Sequence, residues 1–245
     1  MKRILILGGT AEARELAAEL HGRGREVITS LAGRVARPRL PVGEVRIGGF
    51  GGPDAHAAWL LSNEIAAVVD ATHPFAERIS ASAAQAAEQG GFPHLRLERP
   101  GWTEGPGDRW HWVNGLDEAA ARVSELGSRV LLTTGRQGLA AFAGVSDVWF
   151  FIRCVDPPDD PLPRRCEVLL DRGPYTLEGE LALIDDRDID VVVTKDSGGD
   201  HTRAKLDAAR ARGLPVIVVR RPPRPEVETA AGADEVVAWV TATAQ

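Results

Sequence analysis

Along the chain, short runs rich in Val, Ile and Leu alternate with longer Ala-, Glu- and Arg-rich segments whose apolar positions recur at three- and four-residue spacing. That alternation predicts strands joined by helical crossovers, hence parallel sheets and the α/β class. In the first hundred residues it predicts strands at 3–7, 26–31, 44–47, 66–71 and 94–98, with helices at 11–22, 53–61 and 75–88. The helix at 11–22 sets Ala13, Leu16, Ala17 and Leu20 on one face and Glu12, Arg14, Glu15 and Glu19 on the other, which predicts packing on the sheet. The remainder repeats the pattern, with strands at 110–113, 129–133, 148–153, 167–171, 190–194 and 215–219 and helices at 116–126, 177–185, 202–212 and 234–241.

The stretch 101–108 carries three glycines and a proline that oppose both helix and strand, so the domains are expected at 1–100 and 101–245, with the domain on which the last helix packs left open. A second proline-dense segment, 156–163, reads as a surface loop inside the second half. The simplest architecture is two Rossmann-like or flavodoxin-like parallel-sheet domains with an inter-domain cleft, where ligands meet strand C-termini.

Composition narrows the function. With 35 acidic against 29 basic side chains, the net charge of −6 argues against nucleic acid or an anionic membrane as partner, since both need a basic surface. Cys154 and Cys166 form no disulfide framework, and the six histidines lack metal-ligand spacing, so no metal is expected. The first residues pass from Met1-Lys2-Arg3 through a four-residue apolar run into glycine, too short for a secretion signal, and no later run would span a bilayer. A cytoplasmic protein is expected. The single tyrosine, Tyr175, has Gly179 four positions on, which excludes the Tyr–Lys mechanism of short-chain dehydrogenases. Trp102, Trp110 and Trp112, beside the linker, read as packing residues.

The strongest local signal is Gly8-Gly9-Thr10-Ala11-Glu12-Ala13, directly between the first strand and the first helix. Glycines let the turn tighten and admit a pyrophosphate, Thr10 offers a hydroxyl, Ala13 permits close helix–sheet packing, and the helix N-terminus offers N–H donors. After the second strand, an NAD site has a carboxylate for the ribose hydroxyl. Here Ser30, Gly33, Arg34 and Arg37 stand instead, a set suited to a 2′-phosphate and hence to NADPH. Three further strand ends are polar: Asp70-Ala71-Thr72-His73-Pro74, Thr133-Thr134-Gly135-Arg136, and Thr194-Lys195-Asp196-Ser197-Gly198-Gly199.

These motifs, together with Arg46-Ile47-Gly48-Gly49-Phe50-Gly51-Gly52 and Arg172-Gly173-Pro174-Tyr175, resemble the precorrin-6A reductase family of cobalamin biosynthesis from the first strand to about Pro222. The block Asp70–Ala76 is far more specific than the glycine turn. Asp196 departs from the asparagine carried by many members, and a carboxylate there is able to pair with Lys195. The resemblance implies NADPH-dependent reduction of precorrin-6A to precorrin-6B, with the coenzyme on the first domain held by Gly8, Gly9, Thr10, Glu12, Ala13, Ser30, Gly33 and Arg34. It implies an anionic tetrapyrrole, expected on Thr72, His73, Arg136, Lys195, Ser197, Gly198, Gly199 and Arg203, and hand-over contacts with other enzymes of the pathway; by side-chain type His73 is the expected proton donor, with water or a substrate carboxyl as the alternative source. The alternatives are a non-redox tetrapyrrole-binding or ring-modifying protein, or the cobalt-precorrin-6A reductase of the anaerobic route.

Overall fold

The computed structural model describes residues 3–33, 38–200 and 202–244. The chain divides into two compact units, Met1–Pro100 with Pro222–Gln245, and Gly101–Arg221.

The first unit is a six-stranded parallel sheet. Its strands are β1 (Arg3–Leu7), β2 (Val27–Leu31), β3 (Glu44–Ile47), β4 (Ile65–Asp70), β5 (His94–Leu97) and β12 (Glu228–Ala230), in spatial order β3-β2-β1-β4-β5-β12. Ile4 and Ile6 face a core with Leu16 and Leu20 of α1 (Ala11–Gly22) and Val236 and Val240 of α7 (Ala233–Thr243). Leu5 and Leu7 point the other way, onto Leu60 of α2 (Pro53–Ser62) and Ala83 and Ala86 of α3 (Glu77–Gly90). Both faces are covered, which is why β1 reads as an unbroken apolar run.

The second unit contains β6 (Trp110–Val113), β7 (Arg129–Leu132), β8 (Trp149–Cys154), β9 (Cys166–Leu170), β10 (Val191–Lys195) and β11 (Val216–Val219), ordered β6-β11-β10-β7-β8-β9. One core joins Leu131, Val192, Val216 and Val218 to Ile184 of α5 (Leu177–Asp186) and Leu206 of α6 (Ala204–Arg212), and it also takes in Trp102 and Trp110. A further helix, α4 (Leu116–Leu126), buries Ala119, Ala120 and Val123. Cys154 and Cys166 are free thiols raised in pKa by burial.

The tail is where the structure departs from the expected 101–245 domain. After Arg221 the chain returns to the first unit, where β12 pairs with β5 through Glu228↔Leu95 and Ala230↔Leu97, and α7 covers the sheet. The segment is fixed by buried polar contacts. Arg224 Nη2 donates to Asp70 Oδ2 (3.0 Å), Ser80 Oγ (2.6 Å) and Thr72 Oγ1 (3.3 Å), while Arg96 Nη1 donates to the Pro225 carbonyl (2.9 Å). A three-residue strand lacks the alternating run that makes strands visible in a sequence.

Candidate active site

In each sheet the strand order reverses at one point, between β1 and β4 in the first unit and between β7 and β10 in the second. Crevices outside the carboxyl ends of strands at such points are where open α/β sheets bind ligands. The polar strand ends found in the sequence fall at these two reversals.

In the first unit, Gly8 donates to the Ser30 carbonyl at 2.9 Å, and a Cβ on it would lie 2.7 Å from Thr29 Cγ2, so only glycine lets β1 and β2 approach. Gly9 has φ +113° with open space beside it, leaving bare backbone at the N-terminus of α1. Ala13 is buried behind the turn. The Thr10 hydroxyl caps α1 by accepting from Ala13 N at 3.1 Å and donates its only proton to the Ala71 carbonyl at 2.9 Å. Thr10 therefore ties the β1 turn to the end of β4. Glu12 pairs with Arg99 at 2.5 Å.

Ser30 stands at the end of β2, where it accepts from Arg46 Nη1 at 2.9 Å. Gly33 has φ +72°, and a Cβ there would press on Ile47 Cγ2 at 3.0 Å. Arg34 and Arg37 lie outside the described residues. At the end of β4, Thr72 is an interior residue: its hydroxyl donates to Asp70 Oδ1 at 2.6 Å within the Arg224 network. His73, half-buried, accepts at Nδ1 from the Phe75 N–H at 3.3 Å. Accepting at Nδ1 puts the proton of the neutral ring on Nε2.

In the second unit, Arg136 pairs with Asp159 at 3.3 Å, from the proline-dense loop, and Thr134 Oγ1 is buried with no hydrogen-bond partner among the described residues. Lys195 ends β10, half-buried, its pKa lowered by burial. Asp196 accepts from Trp102 N at 3.0 Å and pairs with Arg221 at 3.3 Å. Its approach to the linker requires Gly101, whose added Cβ would meet Asp196 Oδ2 at 2.6 Å. Ser197 Oγ meets Thr202 Oγ1 at 3.1 Å, Gly198 and Gly199 have φ +64° and +70°, and Trp102 Nε1 donates to the Gly199 carbonyl at 2.9 Å. Arg203 precedes α6 and pairs with Asp207 at 3.4 Å.

Sequence reasoning gave three groups here no role of their own. Arg46 needed the pairing of β3 with β2, Thr134 needed the burial of its hydroxyl, and Lys205 needed the packing of α6 against α5. Lys205 is wholly buried with the Arg153–Glu180 ion pair among its charged neighbours, and burial pulls its pKa down to about 7.

Residues 3–241 match the family described as Precorrin-6x reductase CbiJ/CobK. A protein of Rhodococcus erythropolis named Precorrin-6A reductase is 53% identical, with 98% of each chain covered. Its namesake in Mycobacterium tuberculosis is 55% identical over 91% of this chain and 90% of its own. A solved structure titled CobK precorrin-6A reductase superposes with a TM-score of 0.94 at 40% identity, covering 99% of this chain and 97% of its own.

Proposed function

The chain belongs to the precorrin-6x reductase CbiJ/CobK family and reduces precorrin-6A in cobalamin biosynthesis, and from that premise we propose that NADPH is its hydride donor, bound on the first unit. The alternatives of a non-redox tetrapyrrole protein and of a cobalt-precorrin-6A reductase are not favoured, since the relatives at 53% and 55% identity are named precorrin-6A reductase.

The observation that carries the coenzyme assignment is the end of β2. From Ser30 to Arg37 there is no carboxylate to receive a ribose 2′-hydroxyl, and Ser30 is already bonded to a guanidinium. The open backbone of Gly9 at the start of α1 fits a pyrophosphate. Gly8, Gly9 and the first turn of α1 bind the phosphates, Ala13 and Thr10 hold that turn against the sheet, and Ser30, Gly33 and Arg34 receive the adenosine end. Glu12 acts through Arg99 by fixing its position. When bound, the coenzyme supplies the hydride, so no protein nucleophile is required.

In the second unit, Arg136, Lys195, Arg203 and the Ser197-Gly198-Gly199 turn bind carboxylates of the anionic ring, with the Thr134 hydroxyl as a further donor. His73, as the imidazolium, delivers a proton beside the carbon that receives hydride and returns to the neutral ring whose Nδ1 accepts from the Phe75 N–H. The enzyme works in the cytoplasm, where it hands its product to other enzymes of the pathway.

NADPH is expected to raise the melting temperature more than NADH at equal concentration. A ligand at a hundred times its Kd contributes about 2.7 kcal/mol, a shift well within reach of a thermal melt. Stabilisation by neither nucleotide would remove the coenzyme half of the proposal. His73→Asn is expected to lower kcat about 100-fold, the low end for loss of a general acid, with KM for precorrin-6A nearly unchanged. Full turnover in that variant assigns the proton to water or to a substrate carboxyl group.

A further inference from the structure

The motif Arg46–Gly52 has no task in the reading above, yet it builds a rigid cationic corner where β2 and β3 end. Ser30 and Arg46 are register partners across that strand pair. Arg46 Nη1 donates to Ser30 Oγ (2.9 Å) and to the Gly48 carbonyl (2.8 Å), and Nη2 donates to the Gly49 carbonyl (3.0 Å). The guanidinium carbon lies 3.8 Å from the centre of the Phe50 ring and 5.3 Å from that of Trp59. Phe50 is itself stacked on His56, with ring centres 3.6 Å apart. His56 has its pKa pushed down to about 4, chiefly by burial and further by Arg46, so the imidazole is neutral at pH 7 and adds no repulsion.

This arrangement uses three of the five guanidinium N–H groups. The Nε–H and one Nη2–H have no partner among the described residues. A partly desolvated guanidinium with two spare donors in a fixed fork is matched to phosphate oxygens. The glycines that follow leave room for one: a Cβ at Gly48, Gly49 or Gly52 would touch nothing within 4 Å. In a sheet of this order the adenosine ribose lies at the end of β2.

We propose that Arg46 selects the coenzyme, with its two spare donors gripping the 2′-phosphate while its other contacts hold Ser30 and the glycine loop in place. This rests on the reading that NADPH binds the first unit. The backbone contacts alone would equally describe a residue that only clamps the loop, so the test compares two probes that differ by one phosphate.

The affinity of the full chain for adenosine 2′,5′-bisphosphate and for 5′-AMP is measured by calorimetry in the wild type, Arg46→Met and Arg46→Lys. Arg46→Met is expected to lose about 10–100-fold for the bisphosphate, as for a charge-assisted hydrogen-bond pair, and less than about threefold for 5′-AMP. Arg46→Lys, which keeps the charge over Phe50 but lacks the fork, is expected to lose about tenfold for the bisphosphate alone, and it carries the test if Arg46→Met does not fold. Equal losses for both probes make Arg46 a loop clamp and overturn the proposal, as does an unchanged bisphosphate affinity. A wild type that binds the two probes equally instead brings down the NADPH reading beneath it.

Discussion

Glu180→Gln is expected to cost about 3–5 kcal/mol of folding stability, the range for removing one partner of a buried ion pair. Glu180 forms an ion pair with Arg153 at 2.8 Å with both side chains almost completely enclosed, and Lys205 is a third buried charge nearby, its Nζ donating to the Thr202 carbonyl at 2.6 Å. With the carboxylate present and Lys205 protonated, the group carries one net positive charge. Without it, two cations face each other in the interior.

The pH dependence follows from Lys205, whose folded pKa of about 7 lies below its ordinary 10.5, through burial first and then the Arg153 charge, with Glu180 opposing. Between those values the unfolded chain binds more protons than the folded one, so stability rises with pH from about 7 towards 10.5 and is lowest at and below neutrality. Removing Glu180 lowers the folded pKa further and extends that penalty to lower pH. Urea unfolding should therefore show a larger loss for Glu180→Gln at pH 6 than at pH 9, and Lys205→Met should be more stable than the wild type at pH 6. A loss under about 1 kcal/mol, typical of exposed pairs, or one independent of pH, would show that the cluster is hydrated.

Arg224→Met is expected to be the other large effect, again about 3–5 kcal/mol, because it leaves the Asp70 carboxylate buried without its cation. Asp70 and Arg224 are both nearly inaccessible, and the same Nη2 also serves Ser80 and Thr72. Because Arg224 begins the segment that brings β12 and α7 to the first sheet, the loss should be local as well as global. Amide exchange in residues 228–243 is expected to speed up more than in β1 or β4. Uniform acceleration would mean that Arg224 supports the sheet as a whole rather than the docking of the tail.

Much of the fold was legible because it is written in periodicity. The buried stripe of α1, Ala13-Leu16-Ala17-Leu20, and the two-sided apolar run of β1 are local patterns, and both are found as expected. The glycine turn was equally legible, since Gly8 and Gly9 are demanded by the close approach of Thr29 and a positive φ. The roles of individual polar side chains were less so. Only the structure supplies their partners: Thr72 bonds Asp70 in the interior, and Asp196 accepts from Trp102 and pairs with Arg221.

The sequence by itself determined the class, the polar strand ends and the family resemblance, because each depends on residues within one strand–loop–helix segment. Tertiary structure alone decided three things. Strand order brought the ends of β1 and β4, and of β7 and β10, side by side. The tail went back to the first sheet, and Arg46 came to Ser30 and Lys205 to the Arg153–Glu180 pair. The physical reason is common to all three: hydrogen bonds and charge pairing between residues 16 to more than 150 positions apart depend on how elements pack, and no local pattern of side chains records that.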